Sequence, residues 1–210
     1  MNETIAVTGT GSAAGPPDIA MVNIGVEVLA RSVAEARAAA AADIGAVLES
    51  LRGSGLTDRE LTTASYSINP EYDHRDGRRL RGYRVSNMIE AQVRDLDDLG
   101  AIIDAAAQAG SDNTIVNGLR FVHEDDADLA ATARAAAWED ARAKATQLAD
   151  LAGVGLGPVV SMSEQGRGGM PPMRAMAREE AMATSIEAGE LGVSVTVYVE
   201  FGIGPKWTSG

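Results

Sequence analysis

The sequence predicts an α+β fold in which a mixed or antiparallel sheet of long strands packs against one long and two shorter helices. Alternation of apolar and polar residues, which is typical of half-buried strands, recurs in separate segments along the 210 residues. Three intervening segments instead carry apolar residues at helical spacing. The chain is 45% hydrophobic and contains no cysteine, so we expect a packed core without disulfides, in one domain with two subdomains as the alternative.

Two strands are expected near the amino terminus. Residues 3–9 alternate with Ile5 and Val7 on one face, and a second, longer strand covers residues 20–28. The glycines of residues 9–15 predict a turn between them, which would make a hairpin with a wide loop. A Gly-Thr-Gly sequence after a strand also imitates a dinucleotide-binding fingerprint, but Pro16-Pro17 follows where that motif requires a helix.

The first helix and the next hairpin are signalled by capping and turn residues. Ser32 and Glu35 have the spacing of a capping box, and Gly53 ends the helical pattern. Residues 60–69 and 82–94 read as strands that meet at the turn dipeptide Asp76-Gly77. We therefore expect a long hairpin with a basic tip.

A strand, helix and strand follow one another in residues 82–122. Asp95 is expected to cap a helix that ends before Gly110, and residues 115–121 form the next strand. The order of these elements predicts a second βαβ subdomain.

The longest helix is predicted from Asp126 to Ala152, with an acidic segment before it that favours the positive end of the helix dipole. The residues that recur at helical spacing in it are Leu129, Ala133, Ala137, Ala141, Lys144, Leu148 and Leu151. Its alanine-lined face is expected to pack tightly on the sheet.

The remaining residues predict a mobile loop, a strand and a tail. A short strand around 159–162 precedes residues 165–188, whose Gly, Pro and Met content predicts a mobile loop. Residues 191–203 alternate regularly, as in a long strand with one dry face. The domain is thus expected to span residues 1–203, with residues 204–210 as a flexible tail.

The charge balance narrows the classes of partner. A formal net charge of −12 disfavours nucleic acid, which requires a basic face. No apolar stretch has the length of a membrane span, and the amino terminus lacks the pattern of a signal peptide. The chain as given is therefore expected in the cytoplasm, or in the cell envelope if a signal peptide was removed.

Candidate catalytic and metal-binding residues are few. His74 and His123 are not at ligand spacing, and the acidic run Glu124, Asp125 and Asp126 lacks the glycine and distal glutamate of a calcium-binding loop. We predict no catalytic residue, metal or cofactor. A metal-dependent enzyme that uses the two histidines is the alternative.

Two sets of residues are candidate contact surfaces. The basic hairpin tip is expected to contact the acidic run of residues 124–126 in a neighbouring subunit, through Arg75, Arg78, Arg79 and Arg81. Methionines in the predicted loop form an adaptable apolar surface that would suit a protein client, namely Met170, Met173, Met176 and Met182.

Several short motifs, in order along nearly the whole chain, resemble the SIMPL-domain family. They are Ile5–Gly11, Pro17–Ala20, Tyr83–Asn87, Val93–Asp97, Ala143–Ala145 with Leu148-Ala149, and Gly189-Glu190. This resemblance implies an α+β fold, self-association into large ring-like or channel-like particles, a loose link to stress tolerance, and no accepted catalytic mechanism. We therefore expect a non-catalytic oligomeric scaffold or shell, with a client-binding adaptor as the alternative.

Overall fold

The computed structural model describes residues 3–73, 79–173 and 188–205, and only the backbone for residues 166–173. The described residues form an α+β fold of two antiparallel sheets and three α-helices. In chain order the elements are β1 Thr4–Gly15, β2 Ile19–Ala30, α1 Val33–Gly53, β3 Leu61–Asp73, β4 Arg79–Val93, α2 Leu99–Ala109, β5 Thr114–Val122, α3 Ala127–Ala152, β6 Val154–Met173 and β7 Glu190–Pro205. A short 3₁₀ turn, Ser111–Asn113, precedes β5.

The chain divides into two compact units. We call residues 18–122 the central unit, and residues 3–17, 123–173 and 188–205 the terminal unit. The first contains the four-stranded sheet β3-β4-β2-β5 with α1 and α2, and the second contains the three-stranded sheet β1-β7-β6 with α3.

The central unit buries one face of its sheet beneath its helices. Alternate residues of β2 from Ala20 to Val28 lie opposite alternate residues of β4, as in the pairs Val22–Ala91 and Ile24–Ile89. These side chains pack with Ala36, Ala40, Ile44, Val47 and Leu51 of α1 and with Leu99, Ile102 and Ala106 of α2. The Ser32 hydroxyl accepts a hydrogen bond from the Glu35 backbone N–H at 3.2 Å, which confirms the predicted start of α1.

The predicted βαβ subdomain is incomplete by itself. Within residues 82–122, β4 and β5 do not pair with each other, because both pair antiparallel with β2. Their shared core includes α1 as well, so the compact unit extends from residue 18 to residue 122. Helix α2 begins after Asp98 rather than Asp95, whose carboxylate accepts a hydrogen bond from the Asp98 N–H at 3.3 Å.

The predicted β1–β2 hairpin is wrong, because β1 pairs with β7 along its whole length. The register sets Ile5 opposite Phe201 and Val7 opposite Val199, so both strands place apolar side chains on the face that α3 covers. The final strand has the single dry face that its alternation predicts, formed by Val193, Val195, Val197, Val199 and Phe201.

Residues 9–15 are also not a turn, since they continue β1. A Cβ atom on Gly9 would lie 2.1 Å from the Ala137 carbonyl oxygen, and one on Gly11 would lie 2.2 Å from that of Ala133. These glycines are therefore required because the helix backbone passes directly over the strand.

Helix α3 packs an alanine-lined face on the sheet, as predicted. Its buried residues are Ala130, Ala133, Ala137, Ala141, Ala145 and Ala149. Leu148 is exposed, Leu151 is 79% exposed, and the Lys144 ammonium group binds a backbone carbonyl. The strand glycines allow this close packing, because a side chain on Gly9 or Gly11 would collide with the backbone of the helix.

Strand β6 is longer than the sequence indicates. Residues 165–173, predicted as part of the loop, pair with β7 as far as Met173 opposite Glu190, through several register shifts. The shifts hide the alternation by which a strand is recognised. Residues 174–187 of the predicted loop and residues 206–210 of the predicted tail lie outside the described residues.

We predict that Gly9→Ala lowers the free energy of unfolding by about 2 kcal/mol, because the added methyl group must displace the α3 backbone. Urea denaturation measures the loss. Gly204→Ala is the matched control, since a Cβ there meets no atom within 4 Å and alanine suits a strand better than glycine. Equal stability of the two variants would contradict the close approach of α3 to β1.

Candidate functional site

The strands β3 and β4 continue past the end of the central sheet. Strand β2 ends at Ala30, opposite Tyr83 of β4. Beyond that point Gly82, Leu80 and Arg79 pair only with β3 among the described strands. We call residues 71–73 and 79–82 the β3–β4 arm; residues 74–78, between them in the sequence, lie outside the described residues.

The arm exposes two large apolar side chains that lie opposite each other. Tyr72 and Leu80 are register partners and are 37% and 45% exposed. Arg79 and Arg81 are exposed beside them. A two-stranded ribbon of this composition has little buried area to stabilise it, which is typical of a segment that docks against another surface.

The base of the arm is held by one arginine that binds two carboxylates. The Arg84 Nε atom donates to the Glu71 carboxylate at 3.0 Å, and its Nη1 atom pairs with Glu27. Glu71 lies on β3 and Glu27 on β2, so Arg84 of β4 connects three adjacent strands. All three side chains are about one-third exposed, which favours hydrogen bonds stronger than those of a fully solvated pair.

A further exposed surface is β3 itself. It borders the described part of the central sheet, and all its residues from 62 to 70 are exposed. Tyr66 is 52% and Ile68 is 36% exposed. Such an edge presents unpaired backbone groups together with apolar side chains, so it is a second candidate contact surface.

In the terminal unit, two charged side chains of α3 cover part of the β1 edge. Asp140 accepts a hydrogen bond from the Thr10 backbone N–H at 2.8 Å. Lys144 donates to the Thr8 carbonyl oxygen at 3.0 Å and to Asp140 at 2.7 Å. The hydrogen bond from Lys144 and then that from Thr10 lower the pKa of Asp140 below its ordinary value of 3.8. The pair thus satisfies backbone groups that a strand edge leaves open.

The predicted contact residues are distributed over both units. Arg79 and Arg81 lie on the arm, whereas Arg75 and Arg78 lie outside the described residues. The acidic run Glu124, Asp125 and Asp126 directly precedes α3, and the Asp125 carboxylate accepts a hydrogen bond from the Ala127 N–H at 2.8 Å. The run therefore contributes to the start of the helix.

The other candidate residues do not converge on one site. His74, Met176 and Met182 lie outside the described residues, and Met170 and Met173 are described only as backbone in β6. His123 lies 3.4 Å from the Leu191 carbonyl oxygen through its Nε2 atom. Among the described residues, no three His, Cys, Asp or Glu side chains are grouped to hold a metal, and no helix is long and apolar enough to cross a membrane.

Two features of these surfaces were missed from the sequence. Glu27 and Arg84 are 57 positions apart in the sequence, so no local spacing predicts their ion pair. Asp140 and Lys144 do have the i,i+4 spacing of a helical ion pair, but nothing in that spacing reveals that both side chains bind the backbone of β1.

Comparison with known proteins supports a family assignment. Residues 5–201 match the family model described as SIMPL, a protein of unknown function (DUF541). The chain is 34% identical to the 26 kDa periplasmic immunogenic protein of Brucella melitensis, over 95% of this chain and 84% of the relative. It is 32% identical to the uncharacterized protein YggE of Escherichia coli, over 87% of this chain and 74% of the relative.

We predict that Asp140→Asn makes the protein less stable at neutral pH and less sensitive to acid. Because the pKa of Asp140 is lowered by folding, its contribution is present above 3.8 and is lost as the pH falls through the lowered pKa. Urea midpoints between pH 7 and pH 2 measure the difference. Glu139→Gln, on an exposed residue of the same helix, is the control for charge alone. Parallel curves for wild type and Asp140→Asn would contradict the role of Asp140.

Proposed function

This chain belongs to the SIMPL family, and we propose that it acts as a non-catalytic scaffold that assembles from several copies of itself. The observation that carries the proposal is the β3–β4 arm, which leaves the sheet with Tyr72 and Leu80 exposed. Burying such a pair against another subunit removes apolar area from water, which stabilises an assembly without any ligand.

The charge of the arm supports contact with another copy of the same chain. Copies that each carry a net charge of −12 repel one another at long range. The arm, however, carries Arg79 and Arg81, and the sequence between its two strands contains Arg75 and Arg78. The arm also carries Glu71 and Asp73, so the attraction is assigned to its exposed arginines, each of which can bind a carboxylate of a neighbour through two parallel hydrogen bonds.

We assign the acidic end of this contact to the segment that precedes α3. Glu124 and Asp125 are exposed there, and Asp126 is partly exposed. The sequence has no lysine or arginine between Arg120 and Arg134, so the segment is acidic in composition. Contact between the arm of one subunit and residues 124–126 of the next would connect different surfaces, as in a ring.

The proposed place of the scaffold is the cell envelope. The relative from Brucella melitensis is named a periplasmic protein, and the chain matches 84% of its length. An assembly without cysteine is chemically suited to an oxidising compartment, since it has no thiol to cross-link. A contribution to stress tolerance is the part of this function that the family resemblance suggests.

We predict that Tyr72→Ser with Leu80→Ser, and separately Arg79→Ser with Arg81→Ser, shifts the particle toward smaller species in sedimentation velocity. The Tyr72 and Leu80 substitutions remove apolar contact area, and the Arg79 and Arg81 substitutions remove the positive charges that attract carboxylates. Raising the salt concentration to about 1 M should reproduce the second effect, because the screening length then falls to about 3 Å. Far-ultraviolet circular dichroism should show unchanged helix content.

The matched control for the arginine variant is Arg37→Ser with Arg142→Ser, which changes the net charge equally at exposed positions on α1 and α3. It should leave the particle size unchanged. A wild-type protein that stays monomeric at every concentration would refute the scaffold. An assembly that neither arm variant alters would refute the arm as its contact.

A further inference from the structure

Strand β3 lacks the charged residues that usually protect the edge of a sheet. No charged residue occurs from Leu61 to Pro70, although 23% of the chain is charged. Edge strands that must stay unpaired commonly carry lysine or other charges that prevent pairing. The neutral run therefore favours an edge that accepts another strand.

The register with β4 shows which backbone groups of β3 are available. The Gln92 N–H donates to the Glu60 carbonyl oxygen at 2.8 Å, so even-numbered residues of β4 direct their backbone groups toward β3. Ser67 and Asn69 lie opposite the even-numbered Ser86 and Arg84. Because backbone direction alternates along a strand, the N–H and C=O groups of the intervening Tyr66 and Ile68 point away from β4.

Two irregularities limit the usable edge to residues 65–69. The register shifts between Thr63 and Ser65, which marks a bulge at Ala64. Pro70 has no N–H group to donate. The edge thus offers the backbone N–H and C=O groups of two residues, Tyr66 and Ile68, for pairing with another strand.

We propose that β3 pairs antiparallel with β3 of a second copy about a two-fold axis at Ser67. This inference rests on the proposed self-assembly and names one of its interfaces. Tyr66 of each copy then lies opposite Ile68 of the other, and each such pair exchanges two N–H···O=C hydrogen bonds. The central sheets of the two copies become one sheet of eight strands.

The side chains are complementary in this register. Tyr66 and Ile68 lie on the same face of the sheet, so the two copies bring together two aromatic–aliphatic pairs across the strands. On the other face Ser67 meets Ser67, and Ser65 meets Asn69. None of these residues is charged, so two acidic copies approach here without local repulsion.

Neighbouring registers satisfy fewer groups. Moving the axis to Tyr66 places Ile68 opposite the bulged Ala64, and moving it to Ile68 places Tyr66 opposite Pro70, which lacks a donor. An axis between two residues would place Tyr66 and Ile68 of one copy opposite odd-numbered residues of the other. The backbone N–H and C=O groups of those residues point toward β4, so they cannot pair with the second copy. The axis at Ser67 is therefore the register that pairs all four available groups.

Single cysteines test the register, because the chain has none of its own. In the proposed dimer residue 67 forms a non-hydrogen-bonded pair with its symmetry mate, with Cα atoms about 4.5 Å apart. That separation suits a disulfide. Under mild oxidation Ser67→Cys should yield a covalent dimer on a non-reducing gel, and intact mass should give twice the subunit.

The controls use the same strand. Asn69→Cys alone should stay monomeric on the gel, because its symmetry mate lies four residues away along the pairing, or about 13 Å. Ser65→Cys with Asn69→Cys should restore the covalent dimer, since these two positions face each other. Ile68→Lys, at an exposed position, should weaken association by about tenfold or more without changing the melting temperature of the subunit.

The outcomes separate this interface from the scaffold proposal. A folded Ser67→Cys protein that assembles to full size but forms no disulfide would overturn the β3 register and leave the scaffold intact. Equal cross-linking of Ser67→Cys and Asn69→Cys would also overturn it, because it would show non-specific contact. A wild-type chain that never assembles would overturn both.

Discussion

The close approach of α3 to β1 and β7 is the constraint on which the terminal unit depends. The helix residues that are fully buried against the sheet are alanines, Trp138 packs against Phe201 beside them, and Gly9 and Gly11 leave no side chain beneath the helix backbone. At this separation a single added carbon meets a carbonyl oxygen at about half a normal contact distance. The same separation brings Asp140 and Lys144 within reach of the β1 backbone, so packing and edge protection have one cause.

The edge strands β1 and β3 differ in which side chains lie beside their backbone groups. On β1 the backbone groups of Thr8 and Thr10 form hydrogen bonds with the Lys144 and Asp140 side chains. On β3 the edge carries neutral, partly apolar side chains and two irregularities that leave a short window open. Among the described residues, side chains cover part of the β1 edge and none covers the β3 edge, which agrees with the proposed pairing of β3 with a second copy.

Local signals in the sequence were enough to predict most elements. The Ser32 cap, the regular alternation of β7 and the common face of β4 all follow from interactions within a few residues. The failures involve partners distant in sequence. A glycine-rich turn and a glycine-rich strand look alike until the helix that requires the glycines is known, and β1 was assigned to the neighbouring β2 because its true partner lies near the other end of the chain.

The same limit applies to the candidate surfaces. The arm was predicted because a hairpin and its arginines are adjacent in sequence, whereas the open edge of β3 depends on where the sheet ends. Leu148 and Leu151 fit the helical spacing of α3 but are exposed and lie outside the alanine stripe. Which side of a helix is buried depends on how closely its partner approaches.

The ion pairs of Arg84 have a mechanical consequence. A two-stranded ribbon held only by its own hydrogen bonds bends easily at the point where it leaves a sheet. Arg84 lies near that point and connects β4 to Glu71 on one side and to Glu27 on the other. These ion pairs connect the base of the arm to the middle of the sheet, so the direction in which β3 and β4 leave the sheet depends on the central unit.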